Sequence, residues 1–250
     1  MSWVESHSLS FSARHESDQA EDAAAVLESL EVFRDQLGLL FERTPGEVSV
    51  VIHPRSLMLA LAHPWLPLAR MVAAPASRRY FAGWFSSEEI HVLARPALER
   101  RSSGVAGSLE ALLLSPRHEY AHLVVGANNP DLPPPFSGGG FRRYLRWAWL
   151  CEGAATHFSG QTPHLRAAIV RRLHEGQRPD FPPAPRDAQL LGGTIFSLLE
   201  QQNGTSAAVG LAEATRDDDG TRRAIEWAFG RRAASVERDW RDYLDSLRAS

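Results

Sequence analysis

Five consecutive residues, 118 to 122, carry the clearest chemical signal in the sequence. They read His-Glu-Tyr-Ala-His, and on a helix residues four apart project from nearly the same face, so both imidazoles point toward a common ligand. Imidazole nitrogen is a preferred zinc ligand, and Glu119 beside that face can take a proton from water activated by the metal. The spacing therefore predicts His118 and His122 as zinc ligands and Glu119 as general base, the chemistry of peptide-bond hydrolysis.

The same pentapeptide has a purely structural interpretation. HExxH is short enough to arise by chance, and the apolar runs 112–114 and 123–125 on either side also suit a core-facing helix. In that case His118 and His122 would be ordinary surface residues of the helix. A second feature is needed to decide between the two interpretations.

That feature is Glu152, thirty positions after His122, in an apolar helical stretch rich in small residues. Burying a lone carboxylate is costly unless a cation compensates, and zinc held by two histidines is such a cation. Glu152 is therefore predicted as the third protein ligand, and Gly153 beside it would let two helices approach closely. The alternative is an ion pair on a half-exposed helix with one of three arginines, namely Arg142, Arg143 or Arg146.

Together the motifs resemble the gluzincin metallopeptidases, the thermolysin and aminopeptidase superfamily, and especially its small minigluzincin or "peptidase MA-like" branch. The similarity lies in HExxH followed by a helix reading Trp-Leu-x-Glu-Gly-x-Ala-x-x-Phe at 149–158, and extends more weakly to Gly83, Trp84 and the segment 89–94. It implies a zincin-like fold with zinc in a cleft between two lobes. It also implies that the substrate lies along the edge strand before the HExxH helix. The same resemblance implies that His118, His122 and Glu152 are the zinc ligands and that Glu119 is the general base and acid.

The sequence departs from that family pattern in two places. Gluzincins usually carry a Tyr or His downstream of the Glu ligand that donates to the oxyanion, but Gln189, Leu190 and Leu191 occupy the expected region. Substitutes would be Tyr144, His157 or His164, which we expect to be packing or surface residues. The aminopeptidase pattern Gly-x-Met-Glu-Asn is also missing, which favours an endopeptidase-like open cleft.

These departures leave two rivals to a zinc metallopeptidase acting on a peptide or protein. One is a zinc-binding scaffold or interaction module of the same fold with weak or no turnover, and the other is a metal-free helical domain. Thr156, one turn after Glu152, is a candidate for orienting a ligand histidine. The remaining histidines considered have no ligand spacing and are expected to be satisfied or solvated: His53, His63, His91 and His174.

Composition excludes several other functions. The chain has 250 residues, 44% hydrophobic, with a net charge of -3 and 27 basic residues that are all Arg. Because the sequence has no Lys, it cannot form a phosphate-loop Lys, a Schiff-base Lys or a Ser/Lys dyad. The net charge and the balanced distribution of charges do not indicate a surface that binds nucleic acid. Cys151 has no disulfide partner and is expected to be a small buried hydrophobe. Without a visible secretory signal or an apolar run long enough to span a bilayer, we expect a cytoplasmic location.

Hydrophobic periodicity predicts an α+β fold, and the resemblance implies a zincin-like arrangement with a substrate edge strand. Residues 1–101 read as a mixed lobe with the substrate edge strand, and 102–250 as a helical lobe carrying HExxH and the Glu152 helix, one catalytic domain overall. In the first lobe we predict a helix at 17–38, strands at 47–53 and 89–94, and short helical pieces at 55–74. In the second lobe we predict a loop at 128–140 and helices at 108–114, 115–125, 141–158, 163–174, 188–202, 205–214, 221–229 and 235–247.

Overall fold

The structure is a computed structural model that describes residues 2–63, 65–133, 138–214 and 220–249. A five-stranded sheet has the order β1-β2-β3-β5-β4, with β2, β3 and β5 parallel and both outer strands antiparallel to their neighbours. Every strand precedes residue 94, and the regular structure described after it is helical, so the α+β class is confirmed while the lobe division at residue 101 stays a prediction. The strands are β1 (Trp3–His7), β2 (Phe11–Glu16), β3 (Val48–His53), β4 (Gly83–Phe85) and β5 (Glu89–Leu93).

Apart from α4, which was not predicted, the helices follow the predicted order with shifted ends. In the described chain they are α1 (Ala20–Gly38), α2 (Ser56–Ala62), α3 (Trp65–Val72), α4 (Arg95–Arg101), α5 (Ser108–Leu113), α6 (Ser115–Asn128), α7 (Gly138–Phe158), α8 (Arg166–His174), α9 (Ala188–Asn203), α10 (Thr205–Ala214), α11 (Thr221–Phe229) and α12 (Ala233–Ala249). None of the helices described has the length and apolar character to cross a bilayer.

Helix α6 is the centre of the molecule. Pro116 lies in its first turn, where the missing N–H leaves no bond unmade, so α6 starts as a separate helix after α5. It packs against β4, β5 and α1 on one side and against α7 on the other. Tyr120 faces the sheet side, fully buried, with its ring edge-on to Phe11 and its hydroxyl donating to the Pro45 carbonyl at 2.7 Å. The residues on the opposite side of α6 therefore face the α7 layer.

Two glycines set the distance between α7 and α9. A Cβ atom at Gly192 would lie 2.4 Å from the Trp149 carbonyl oxygen, and one at Gly153 would lie 2.6 Å from the Gly192 carbonyl carbon. Neither position tolerates a larger side chain without moving a helix backbone. This contact fixes the part of α7 that carries Glu152.

The structure corrects the sequence prediction at three points. The predicted loop at 128–140 is too long, because α7 begins at Gly138; residues 134–137 of that loop lie outside the described part. Helix α7 also bends at Trp147, whose φ of -106° and ψ of 17° are not helical. Strands β1, β2 and β4 were not predicted, since β4 has three residues and β1 is largely exposed on both faces.

Candidate metal centre

Three predicted site residues project from the cleft side of α6. His118, Glu119 and His122 are each at most 6% exposed, and Glu152 of α7 is 4% exposed opposite them. A buried Glu152 removes the alternative of a half-exposed helix position. The structure thus brings all four predicted residues into one buried group.

The donor atoms of His118, His122 and Glu152 converge. The two Nε2 atoms are 3.1 Å apart, His118 Nε2 lies 3.4 Å from Glu152 Oε2, and His122 Nε2 lies 3.7 Å from Glu152 Oε1. Ligands at 2.0–2.1 Å around a tetrahedral ion are separated by about 3.3 Å, close to these values. The three side chains are close enough to bind one metal ion.

The charges of the group favour a cation. Burial raises the pKa of the Glu152 carboxyl, but His122, His118 and Tyr144 outweigh it and lower that pKa to about 2. Burial lowers the pKa of His122 to about 3, so its imidazole is neutral and has a lone pair to donate. An ionised carboxylate beside a neutral imidazole is the protonation state that a metal requires.

Glu119 lies against the edge strand. A Cβ atom at Gly83 of β4 would stand 2.4 Å from Glu119 Oε1, so only glycine leaves room for the carboxyl group. Burial raises the pKa of Glu119 to about 8, with Glu152 adding to the effect and His118 opposing it. A cation at the neighbouring triad would favour the ionised form and lower that pKa.

Two aromatic side chains complete the group. The Phe85 ring of β4 stacks on His122, with 4.0 Å between ring centroids and 11° between planes. The Tyr144 hydroxyl, on α7 before the bend at Trp147, donates to Glu152 Oε1 at 2.5 Å. The bend explains how residues eight apart on one helix meet at the same site.

A cavity of about 520 Å³ opens beside these residues. Its polar lining is provided mainly by the metal-binding group, Glu119, Gln189 and two tyrosines, while the rest is apolar or aromatic. No Arg is among the described residues that line it. The apolar wall comes from α3, from the β4 region and from the start of α7: Leu66, Ala69, Val72, Phe81, Phe141 and Leu145.

Other sequence candidates lie elsewhere or have a different role. His157 is 3.5 Å from Glu200, and neither it nor His164 lines the cavity. The Thr156 hydroxyl donates to the Gln189 carbonyl at 3.5 Å and so does not orient a histidine. Cys151 is buried, and burial raises its pKa, as expected for an inert thiol.

Two residues of this site were not recognised from the sequence. Tyr144 was expected to be a packing or surface residue, and Gly83 was assigned no role. The only early signal for Tyr144 was its place upstream of Glu152; the signal for Gly83 was a glycine beside aromatic residues. Both depend on contacts between distant segments.

Comparison of the chain with protein-family models, with curated proteins and with solved structures found no match. The function of the protein is therefore inferred from the side chains of the site itself.

Proposed function

We propose that this protein is a zinc-dependent metallopeptidase with a zincin-like fold of the gluzincin type. The observation that carries the proposal is the convergence of His118, His122 and Glu152 with Glu119 directly beside them. Two histidines and one carboxylate are the ligand set of many catalytic zinc sites, which keep a fourth position for water or substrate. When bound, zinc supplies Lewis acidity that activates water near neutral pH and polarises a carbonyl group.

Glu119 is the general base in this proposal. Its carboxylate accepts the proton of the attacking water and then passes it to the leaving amine. Gly83 keeps the carboxyl group in place, and the buried surroundings keep its pKa near the working range. Proton transfer by a positioned side chain typically contributes about 10²–10⁴-fold to the rate.

Tyr144 is the hydroxyl best placed to stabilise negative charge on the substrate oxygen. It lines the cavity, and its hydroxyl already meets the metal-binding carboxylate, so a small movement would turn it toward a substrate. Burial and the Glu152 charge raise the pKa of Tyr144 well above its usual value, so it stays protonated and able to donate.

The cavity lining indicates an internal peptide segment with a bulky apolar side chain. A free terminal carboxylate would need an Arg, and none of the described lining residues is one. A free α-amine would need an acid, but both lining carboxylates, Glu119 and Glu152, already have roles. We therefore propose endopeptidase rather than exopeptidase activity.

The test joins metal analysis with cleavage. Purified protein is stripped with a chelator, reloaded with one equivalent of zinc and incubated with quenched fluorescent peptides that vary one apolar position. We expect zinc-dependent cleavage next to bulky apolar residues, and none with Glu119→Gln, which should still bind zinc. The matched control is Glu110→Gln, the same change at an exposed position of α5.

The outcomes separate the rivals. Stoichiometric zinc without cleavage of any peptide would refute the peptidase and leave a zinc-binding scaffold. Absence of zinc binding would refute the whole proposal and favour a metal-free α+β domain.

A further inference from the structure

Gln161 is a buried glutamine whose position follows from the end of α7. Gly160 adopts a left-handed φ of 78°, its N–H bonds to the His157 carbonyl, and the Gln161 N–H reaches back to the Thr156 carbonyl at 3.0 Å. This pair of bonds is a Schellman cap, which turns the chain sharply back over the helix end. The turn directs Gln161, 2% exposed, toward α5 and α6.

One half of the Gln161 amide has a partner in that layer. Its Nε2 donates to the carbonyl of Ala111 in α5 at 2.7 Å, in buried surroundings. That bond fixes which end of the amide is nitrogen, so the oxygen is available for another donor. Gln161 Oε1 is nevertheless buried with no hydrogen-bond partner of normal geometry among the described residues.

His118 presents the matching unmet donor. Its Nε2 faces Glu152 and His122, and its other ring nitrogen, Nδ1, is buried with no partner of normal geometry in the described chain. The Gln161 side chain is nevertheless close enough to interact with the His118 ring. Gln161 Oε1 and His118 Nδ1 are thus a buried acceptor and a buried donor on two interacting side chains, and neither has a partner of normal geometry among the described residues.

We propose that Gln161 is the positioning residue of the metal site, accepting a hydrogen bond from His118 Nδ1–H and so holding Nε2 free and aimed at the metal. A metal-bound imidazole usually donates its other N–H to a fixed acceptor, which sets the tautomer, the ring orientation and the basicity of the ligand. Gln161 meets this requirement through a neutral amide whose own orientation is set by Ala111. The inference rests on the metal-binding part of the proposed function and not on turnover.

The experiment measures zinc affinity by competition with a chromophoric chelator, with no substrate present. Gln161→Met keeps the length of the side chain but has no acceptor, and we expect its zinc affinity to fall about 10–100-fold. Gln161→Glu loses the bond to the Ala111 carbonyl but keeps an acceptor for His118, so its affinity should match or exceed that of the wild type. Thr156→Val, at the position that spacing alone favoured, is the matched control and should leave zinc affinity within about twofold of the wild type, well below the 10–100-fold typical of a lost ligand-orienting bond, because the Thr156 hydroxyl bonds to the Gln189 carbonyl instead.

The contrast between the two Gln161 variants separates positioning from simple packing. Equal losses in the Met and Glu variants would mean that only the Ala111 bond matters and would overturn the proposal, as would wild-type affinity in Gln161→Met. Nitrogen NMR of the zinc-loaded protein gives a second measurement, in which His118 should appear as the Nδ1–H tautomer. Wild-type zinc binding without peptidase activity would contradict the proposed function and leave this inference standing.

Discussion

Two groups of histidines lie on opposite sides of the edge of the sheet, and among the described residues only one of them brings three possible metal ligands together. In the first, His118 and His122 share a carboxylate, and three donor atoms point at one position. In the second, His53 Nε2 meets His91 Nδ1 at 2.9 Å, and His91 Nε2 meets Glu89 Oε1 at 2.6 Å. There both ring nitrogens of His91 are used by hydrogen bonds to His53 and Glu89, and no three ligand atoms converge among the residues described.

The two groups also differ in how burial is compensated. Glu152 places a negative charge between His118 and His122, and this charge raises the pKa of His118 in spite of burial. In the second group burial lowers the pKa of both His53 and His91 to about 4, and neighbouring positive groups add to this effect. His53 and His91 are therefore neutral, as His122 is in the first group, and what distinguishes the first group is the ionised Glu152 carboxylate that its two histidines share.

The second group has a third histidine, His63, which lies between His91 and the cavity. His63, after α2, packs edge-on to His91 at 4.0 Å and stacks on Trp84, which lines the cavity. The comparison teaches that buried histidines alone do not indicate a metal site. A carboxylate that shares the position where their nitrogens point is the deciding feature.

The largest expected difference comes from removing one carboxylate from each group. Glu152→Ala should weaken zinc binding roughly 10³-fold, since protein zinc sites bind by about 10–16 kcal/mol shared among four ligands. Glu89→Ala, its matched partner in the second group, should leave zinc affinity unchanged. Competition with a chromophoric chelator measures both, and a similar loss in the two variants would contradict the comparison.

The next largest effect is expected from the hydroxyl of Tyr144, which contacts Glu152 of the first group. Tyr144→Phe should lower kcat by about 10²-fold, as loss of one oxyanion donor does in comparable enzymes, with little change in KM. Zinc stoichiometry should stay at one, because Tyr144 contacts the ligand carboxylate without being a ligand. An unchanged kcat would assign the tyrosine to packing alone.

A smaller effect should follow at the edge strand. Gly83→Ala places a methyl group where the Glu119 carboxyl lies, so we expect kcat to fall about 10-fold through misplaced proton transfer while zinc still binds. Gly104→Ala is the control, since a Cβ there meets nothing within 4 Å. Equal rates in the two variants would show that Glu119 relaxes without loss.

The first group could be predicted from the sequence because it depends on the spacing of residues within single helices. The i and i+4 spacing on α6 puts His118 and His122 on one face whatever the rest of the fold, and an isolated Glu152 in an apolar helix calls for a cation. Hydrophobic periodicity also predicted strands β3 and β5 and the helices other than α4. These features depend on neighbours within a turn or two.

The features that could not be predicted from the sequence all depend on contacts between distant segments. Gln161 is oriented by a helix cap and by Ala111 fifty residues away, and Tyr144 reaches Glu152 only because α7 bends at Trp147. His53 and His91 meet because β3 and β5 are adjacent in the sheet, a pairing that neither strand reveals alone. The histidines of the second group were therefore expected to be separate residues.

The smallest effect is on stability and tests the second group by pH. Because the folded pKa of His53 is about 4 and the unfolded value about 6.5, the unfolded chain binds the proton first. The stability associated with neutral His53 is therefore complete above pH 6.5, is lost progressively between about pH 6.5 and 4, and changes no further below. The slope is at most about 1.4 kcal/mol per pH unit for one histidine.

His53→Leu removes this proton site while keeping a buried side chain of similar size. Denaturant unfolding of chelator-treated protein between pH 7 and 4.5 should show a shallower loss of stability than in the wild type. The difference reports His53 together with its interactions with His91, His63 and Glu89, while Arg14 faces His91 in both proteins. The control is His7→Leu, at an exposed position outside both groups, which should keep the wild-type slope. Parallel curves for the wild type and His53→Leu would mean that the second group accepts a proton without strain, and the contrast between the two groups would fail.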